Sequence, residues 1–232
     1  MENNQPTNEP QTIETQLAQA LDQLQSRSAS FKTTEEADEA WRMHRAAIDG
    51  QRRLIEAGFP RRHVEALPRM NGPGLEFAQS IDAAILETGS LFLIGDRGPG
   101  KTQIATWIGA KRIADGKSCG VYRKALDLWS EIKGTWSGDS KTSEADVLRR
   151  FKCAAFLVID EAQERGDTEN DRQWCDRTFA HIMDHRYDAS LPTIICANLD
   201  RESFNSTIPA SIRSRMSESG GLKVCDWPSY RK

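Results

Sequence analysis

The chain has 232 residues, a net charge of −3 and a pI of about 5.9, a length that suits one α/β domain plus an appendage and can bury a real core. The slight acidity excludes a globally basic nucleic-acid coat, so any contact with nucleic acid must come from local patches. Five cysteines, Cys119, Cys153, Cys175, Cys196 and Cys225, form no C-x-x-C pair and no zinc spacing, and read as buried free thiols of a reducing compartment. No apolar run is long enough to span a bilayer, and Met1 to Pro6 lack the basic and apolar regions of a signal peptide; both predict a cytoplasmic protein without a membrane partner.

Residues 1–10 are polar with two prolines and are expected to be disordered. Ile13, Leu17, Leu21 and Leu24 then recur at helical spacing and build an apolar stripe on a helix over 11–27. So short a helix must lay that stripe on something, either its own domain or a partner's groove. After a Ser/Thr-rich break, a second helix from about 34 to 58 places Ala37, Trp41, Ile48 and Ile55 on one side. Its basic residues Arg42, Arg45, Arg52 and Arg53, with Arg61, Arg62 and Arg69 beyond, form either a solvated face or a phosphate-backbone contact. Asn71-Gly72-Pro73-Gly74 signals a turn. The expected division is therefore a helical N-terminal region at 1–70 and a second domain at 71–232.

A helix at about 75–88 leads into the stretch that organises the chain. Leu91-Phe92-Leu93-Ile94 has strand character and runs straight into G-x-x-x-x-G-K-T, the order a phosphate loop needs: buried strand, glycine turn, helix. Gly95, Asp96, Arg97, Gly98, Pro99 and Gly100 would wrap backbone N–H groups around phosphates. Lys101 would reach the β- and γ-phosphates, the Thr102 hydroxyl would ligate Mg²⁺, and Gln103 continues a helix whose N-terminus faces the anion.

Val121-Tyr122 begins a second strand, and Phe156-Leu157-Val158-Ile159 ends in Asp160-Glu161. Acids at the carboxyl end of a buried parallel strand stand where open α/β sheets bind ligands. Asp160 would hold Mg²⁺, and Glu161 would polarise the attacking water. Thr193-Ile194-Ile195-Cys196-Ala197 brings Asn198 to the same edge, to orient that water and sense the γ-phosphate or simply to cap a turn. His181 and His185, four apart without a third ligand, read as helix-face residues.

Together these residues resemble the AAA+ ATPases, specifically the branch of DnaC-type replicative helicase loaders and IstB-type transposition ATPases. The resemblance covers roughly 52–232 and includes Arg53 to Pro60, Asp184-His185-Arg186-Tyr187, Ile212 to Met216 and the final Asp226-Trp227-Pro228-Ser229-Tyr230-Arg231, which is similar to DnaC. It implies an AAA+ P-loop core, a parallel sheet between helices, without the usual helical lid and with a small helical N-terminal region. It also implies ATP and Mg²⁺ as cofactors. Arg215 would be an arginine finger acting on a neighbouring subunit's ATP, with Arg213 as the other candidate, and Arg231 would be a phosphate-sensing arginine. Residues 123–150 correspond to the insertion with which loaders grip single-stranded DNA; there Leu128, Trp129 and Ile132 have core spacing, leaving Lys133 and Trp136 as DNA candidates.

The expected function is an ATPase, stimulated by assembly and DNA, that binds a hexameric DnaB-like helicase through the stripe at Ile13, Leu17, Leu21 and Leu24 and loads it onto single-stranded DNA. The alternatives are an IstB-like ATPase that assembles on duplex DNA and activates a transposase, and a nucleotide-switched scaffold with negligible turnover.

Overall fold

The computed structural model describes residues 34–81, 89–219 and 221–230; the predicted helix at 11–27 with its stripe, and Arg231, lie outside the described residues. The chain divides into residues 1–49 and a compact unit, residues 50–232. Helix α1 (Thr34–Glu56) begins in the first and ends in the second. The compact unit continues with α2 (Arg61–Ala66), a 3-10 turn (Leu67–Arg69), α3 (Gly72–Ser80), β1 (Ser90–Ile94), α4 (Lys101–Ala114), β2 (Val121–Lys124), α5 (Ala125–Gly134), α6 (Glu144–Cys153), β3 (Leu157–Asp160), α7 (Glu169–Asp188), β4 (Thr193–Ala197), α8 (Arg201–Thr207), α9 (Ala210–Ser219) and β5 (Gly221–Val224).

The five strands form one sheet in the order β2-β3-β4-β1-β5, every neighbouring pair parallel. β1, β3 and β4 are buried along their whole length, which is why they read as unbroken apolar runs. Their side chains alternate between two cores. Phe92, Ile94, Leu157, Ile159, Ile195 and Ala197 meet Leu128, Trp129 and Ile132 of α5 and Phe179 of α7. Leu91, Leu93, Val158, Ile194 and Cys196 meet Ile104 and Ile108 of α4 on the other face. Trp129 and its two helix neighbours are thus core residues, as their spacing predicts.

The second core also takes Leu54, Phe59 and Val64, so residues 50–70, grouped by sequence with the N-terminal region, pack on the sheet. On α1 there it is Leu54, 1% exposed, that enters this core, while Ile55 of the predicted stripe is 37% exposed. The chain leaves α1 through Gly58 at φ +96°, where a Cβ would lie 2.6 Å from Tyr122 O, and Ala57 O accepts the Tyr122 N–H at 2.8 Å, covering the edge of β2. Asn71 to Gly74 do not form a free turn: Gly72 and Pro73 open α3, Pro standing where its missing N–H goes unneeded. α3 ends at Ser80, and residues 82–88 of the helix predicted at about 75–88 lie outside the described residues.

Four of the five free cysteines are buried, but Cys153 is exposed at the end of α6, contrary to the expectation that all are interior. His181 and His185 contact Lys152 and Cys153, and no metal-binding cluster occurs among the described residues. No helix among them is long and apolar enough to cross a membrane.

Candidate functional site

The parallel strands deliver their carboxyl ends to one edge of the sheet. From β1 the chain turns through Gly95 to Gly100, with Gly98 at φ +112° and Gly100 at φ +96°, left-handed values that disfavour any side chain. α4 starts at Lys101, aiming its first N–H groups at the loop. Lys101 is 5% exposed. Its Nζ donates to Gly95 O at 2.8 Å and Asp96 O at 2.6 Å, so these two residues act through their carbonyls and do not line the cleft. Burial pulls the lysine below its ordinary pKa, while Cys196, Cys225, Asp160 and Asp96 act the other way. A buried cation beside a nest of backbone donors fits a phosphate chain.

At the end of β3, Asp160 is 4% exposed and fully engaged. Oδ2 accepts from Thr102 Oγ1 at 2.7 Å and from Tyr122 Oη at 2.6 Å, and Oδ1 accepts the Glu161 N–H at 2.8 Å. Burial first, then the Asp160 charge, pushes the Tyr122 phenol far above its ordinary pKa, so it remains a donor. The Thr102 hydroxyl and the Asp160 carboxylate are the hard oxygen set that suits Mg²⁺. Glu161 lines the cleft at φ +53°, and its carboxylate pairs with Lys124 Nζ at 3.0 Å. Asn198, just after β4, reaches the same cleft; its backbone N–H donates to Gln163 Oε1 at 2.9 Å.

The cleft has a volume of about 460 Å³ and brings together Arg97, Gly98, Pro99, Gly100, Lys101, Thr102, Gln103, Asp160, Glu161 and Asn198. Sequence reasoning missed its other wall: His63, Ala66, Arg69, Met70, Asn71, Gly74 and Tyr230. His63 is joined to the loop helix twice, with its O accepting from Gln103 Nε2 at 2.9 Å and its Nδ1 2.8 Å from Gln103 Oε1. The Arg53 to Pro60 resemblance pointed to this region without naming a wall residue.

Other candidates stand apart from the cleft. Arg215 on α9 is ion-paired with Asp184 of α7 and lies 6.0 Å from the Tyr187 ring centroid. Arg213 donates to Ile208 O at 3.0 Å and Asn205 Oδ1 at 3.1 Å. Lys133 is paired with Asp171 at 2.5 Å and sits over the Trp174 ring, so a DNA phosphate would compete with a carboxylate for it. Trp136 is 55% exposed and donates to Glu144 Oε2 at 2.6 Å.

No family model matches the chain. Over 185 residues it is similar to replicative helicase loaders DnaC of Buchnera aphidicola subsp. Acyrthosiphon pisum, 29% identical, and subsp. Schizaphis graminum, 28% identical, in each case over 79% of this chain and 65% of the relative. The chain thus matches less than two thirds of the length of these relatives. Among solved structures it is similar to a DnaC helicase loader, with a TM-score of 0.54, 20% identity, and 71% of this chain and 99% of that one covered. It is also similar to DnaI, with a TM-score of 0.52, 19% identity and coverages of 67% and 86%, and to a replication initiator DnaA bound to AMPPCP and single-stranded DNA, with a TM-score of 0.51, 17% identity and coverages of 70% and 50%. The fold is the AAA+ P-loop core expected from the sequence, and the resemblance to DnaC-type loaders is found by sequence and by structure.

Proposed function

We propose that the cleft binds ATP with Mg²⁺ and hydrolyses it, and that the chain is an ATP-dependent loader of a hexameric DnaB-like helicase onto single-stranded DNA. The observation that supports this best is the convergence of Lys101, Thr102, Asp160, Glu161 and Asn198 on one cleft from three strand ends, in a chain similar to proteins named as replicative helicase loaders. Mg²⁺ bound at Thr102 and Asp160 supplies neutralisation of charge on the phosphate oxygens. On binding, Lys101 exchanges the loop carbonyls for phosphate oxygens, and the loop N–H groups hold the phosphates in line. Glu161 takes the proton of the attacking water, which requires its carboxylate to turn from Lys124, and Asn198 orients that water.

Helicase binding through the stripe at Ile13, Leu17, Leu21 and Leu24, phosphate sensing by Arg231, self-association through Arg215 and DNA contact at Lys133 and Trp136 complete the proposal. Of the last two, Trp136 is the better placed, because its ring is exposed and Lys133 is already paired.

The test is ATP affinity by calorimetry. Lys101→Ala should weaken Mg·ATP binding about 100-fold, from loss of charge-assisted bonds, with the fold intact by circular dichroism. Equal affinity in wild type and variant would remove the site. Tyr122→Phe leaves Asp160 Oδ2 with one donor fewer, and should raise the Mg²⁺ concentration for half-maximal ATP binding about tenfold. An unchanged Mg²⁺ titration would mean that Tyr122 does not position Asp160.

A further inference from the structure

The segment following β5 lies on the phosphate loop. Cys225 N–H donates to Ile94 O at 2.8 Å, and a Cβ on Gly95 would lie 2.3 Å from Cys225 O. Ser229 stands so close to Gly98 that a Cβ there would lie 1.9 Å from its Oγ. Trp227 Nε1 donates to Pro99 O at 2.7 Å, and Tyr230 N–H donates to Gly98 O at 3.1 Å. The far side of the segment is anchored on α3: Tyr230 Oη accepts the Gly74 N–H at 2.9 Å, and the Trp227 and Phe77 rings lie 5.3 Å apart.

We propose that Trp227 is a positioning residue for nucleotide binding, and that it sets the direction of the Gly100 N–H through Pro99. The peptide unit joining Pro99 and Gly100 is planar and trans, so its C=O and N–H point in opposite directions. With Pro99 O held outward on the indole, the Gly100 N–H is turned into the loop, where a phosphate oxygen accepts it. Gly100 has the wide conformational freedom of glycine, and Pro99, lacking an N–H, gives the preceding peptide unit no donor of its own. Nothing local therefore fixes this peptide plane, and an indole N–H, a donor that cannot accept, fixes one orientation only. The Tyr230 N–H on Gly98 O holds the adjoining unit in place. A peptide turned the other way would present a carbonyl to the phosphate, which both would disfavour.

This inference rests on the reading of the cleft as a nucleotide site, and the two are separated by comparing ADP binding by calorimetry in three proteins. Trp227→Phe keeps a ring beside Phe77 but removes the donor; Phe77→Leu perturbs the ring contact and keeps the donor. Wild-type binding of ADP tests the site. Trp227→Phe is expected to weaken ADP about tenfold, the scale of one oriented hydrogen bond to an ionised group, while Phe77→Leu stays within about twofold although it lowers thermal stability. In nitrogen-15 spectra without nucleotide, the Gly100 amide should move in Trp227→Phe and stay in Phe77→Leu. ADP affinity unchanged in Trp227→Phe, or lost equally in both variants, would overturn the assignment, as would wild-type protein that does not bind ADP.

Discussion

Arg215→Ala is expected to lower ATP turnover of the assembled protein by roughly 10³- to 10⁵-fold, the range an arginine finger contributes in other NTPases, and to leave ATP affinity within about twofold. Arg215 does not line the cleft of its own chain, so the proposal has it act on the ATP of a neighbouring subunit. Its partner Asp184 is 41% exposed and Arg215 itself 35%, and a pair so open to water is held weakly, by about 1 kcal/mol or less. Exchanging that one ion pair for phosphoryl oxygens therefore costs little. Arg213 is engaged by the carbonyl of Ile208 and by Asn205 within its own fold, which favours Arg215 of the two arginines. Asp184→Asn is the control. If Arg215 serves only that ion pair, Asp184→Asn and Arg215→Ala will depress turnover equally; if it is the finger, Asp184→Asn will retain turnover. The measurement is single-turnover hydrolysis at saturating ATP.

Arg186→Met is expected to destabilise the domain by about 3–5 kcal/mol. Arg186 is completely buried. Its guanidinium donates to Thr193 Oγ1 at 2.8 Å, to Phe151 O at 2.9 Å, Lys152 O at 3.2 Å and Ala154 O at 2.8 Å, and to Pro192 O at 2.8 Å. Burial lowers its pKa to about 10, which leaves it protonated at neutral pH. Phe151 and Lys152 are in the last turn of α6, where carbonyls have no partner within the helix. One cation thus caps α6 and binds it to α7 and the start of β4. Methionine matches much of the volume but strands the carbonyls of Phe151, Lys152 and Ala154, each worth about 1–3 kcal/mol when left unsatisfied, with partial relief by water, while Pro192 O keeps the Leu157 N–H at 3.2 Å. Urea denaturation measures the loss, and a change below about 1 kcal/mol would show that relaxation resupplies those partners.

What the sequence revealed and what it hid divide along chain distance. The phosphate loop, Asp160, Glu161 and Asn198 were legible because each is the immediate continuation of a buried strand, so a local pattern fixes both the strand and the residue at its end. Arg186 stood inside a recognised tetrapeptide, but its five acceptors come from α6, the connection to β3, and the start of β4, and no local pattern links them. The second wall of the cleft was hidden for the same reason. Gly74 and Tyr230 are 156 positions apart, and Trp227 and Pro99 are 128 apart. Asn71 to Gly74 carried a true turn signal, yet Gly-Pro also opens a helix, and only packing decides between them. The basic residues 42–69 were read by charge alone; Arg69 proves to line the cleft, while Arg53 donates to Lys117 O at 3.4 Å.

The most direct test of the account is light scattering of the purified full chain mixed with its host's hexameric replicative helicase, in Mg·ATP and single-stranded DNA. A stable complex with several copies of this chain per helicase hexamer, weakened by Lys101→Ala, is the predicted result. A chain that leaves the helicase hexamer unbound under those conditions, and instead forms filaments on duplex DNA, would contradict the loader and favour a transposition ATPase.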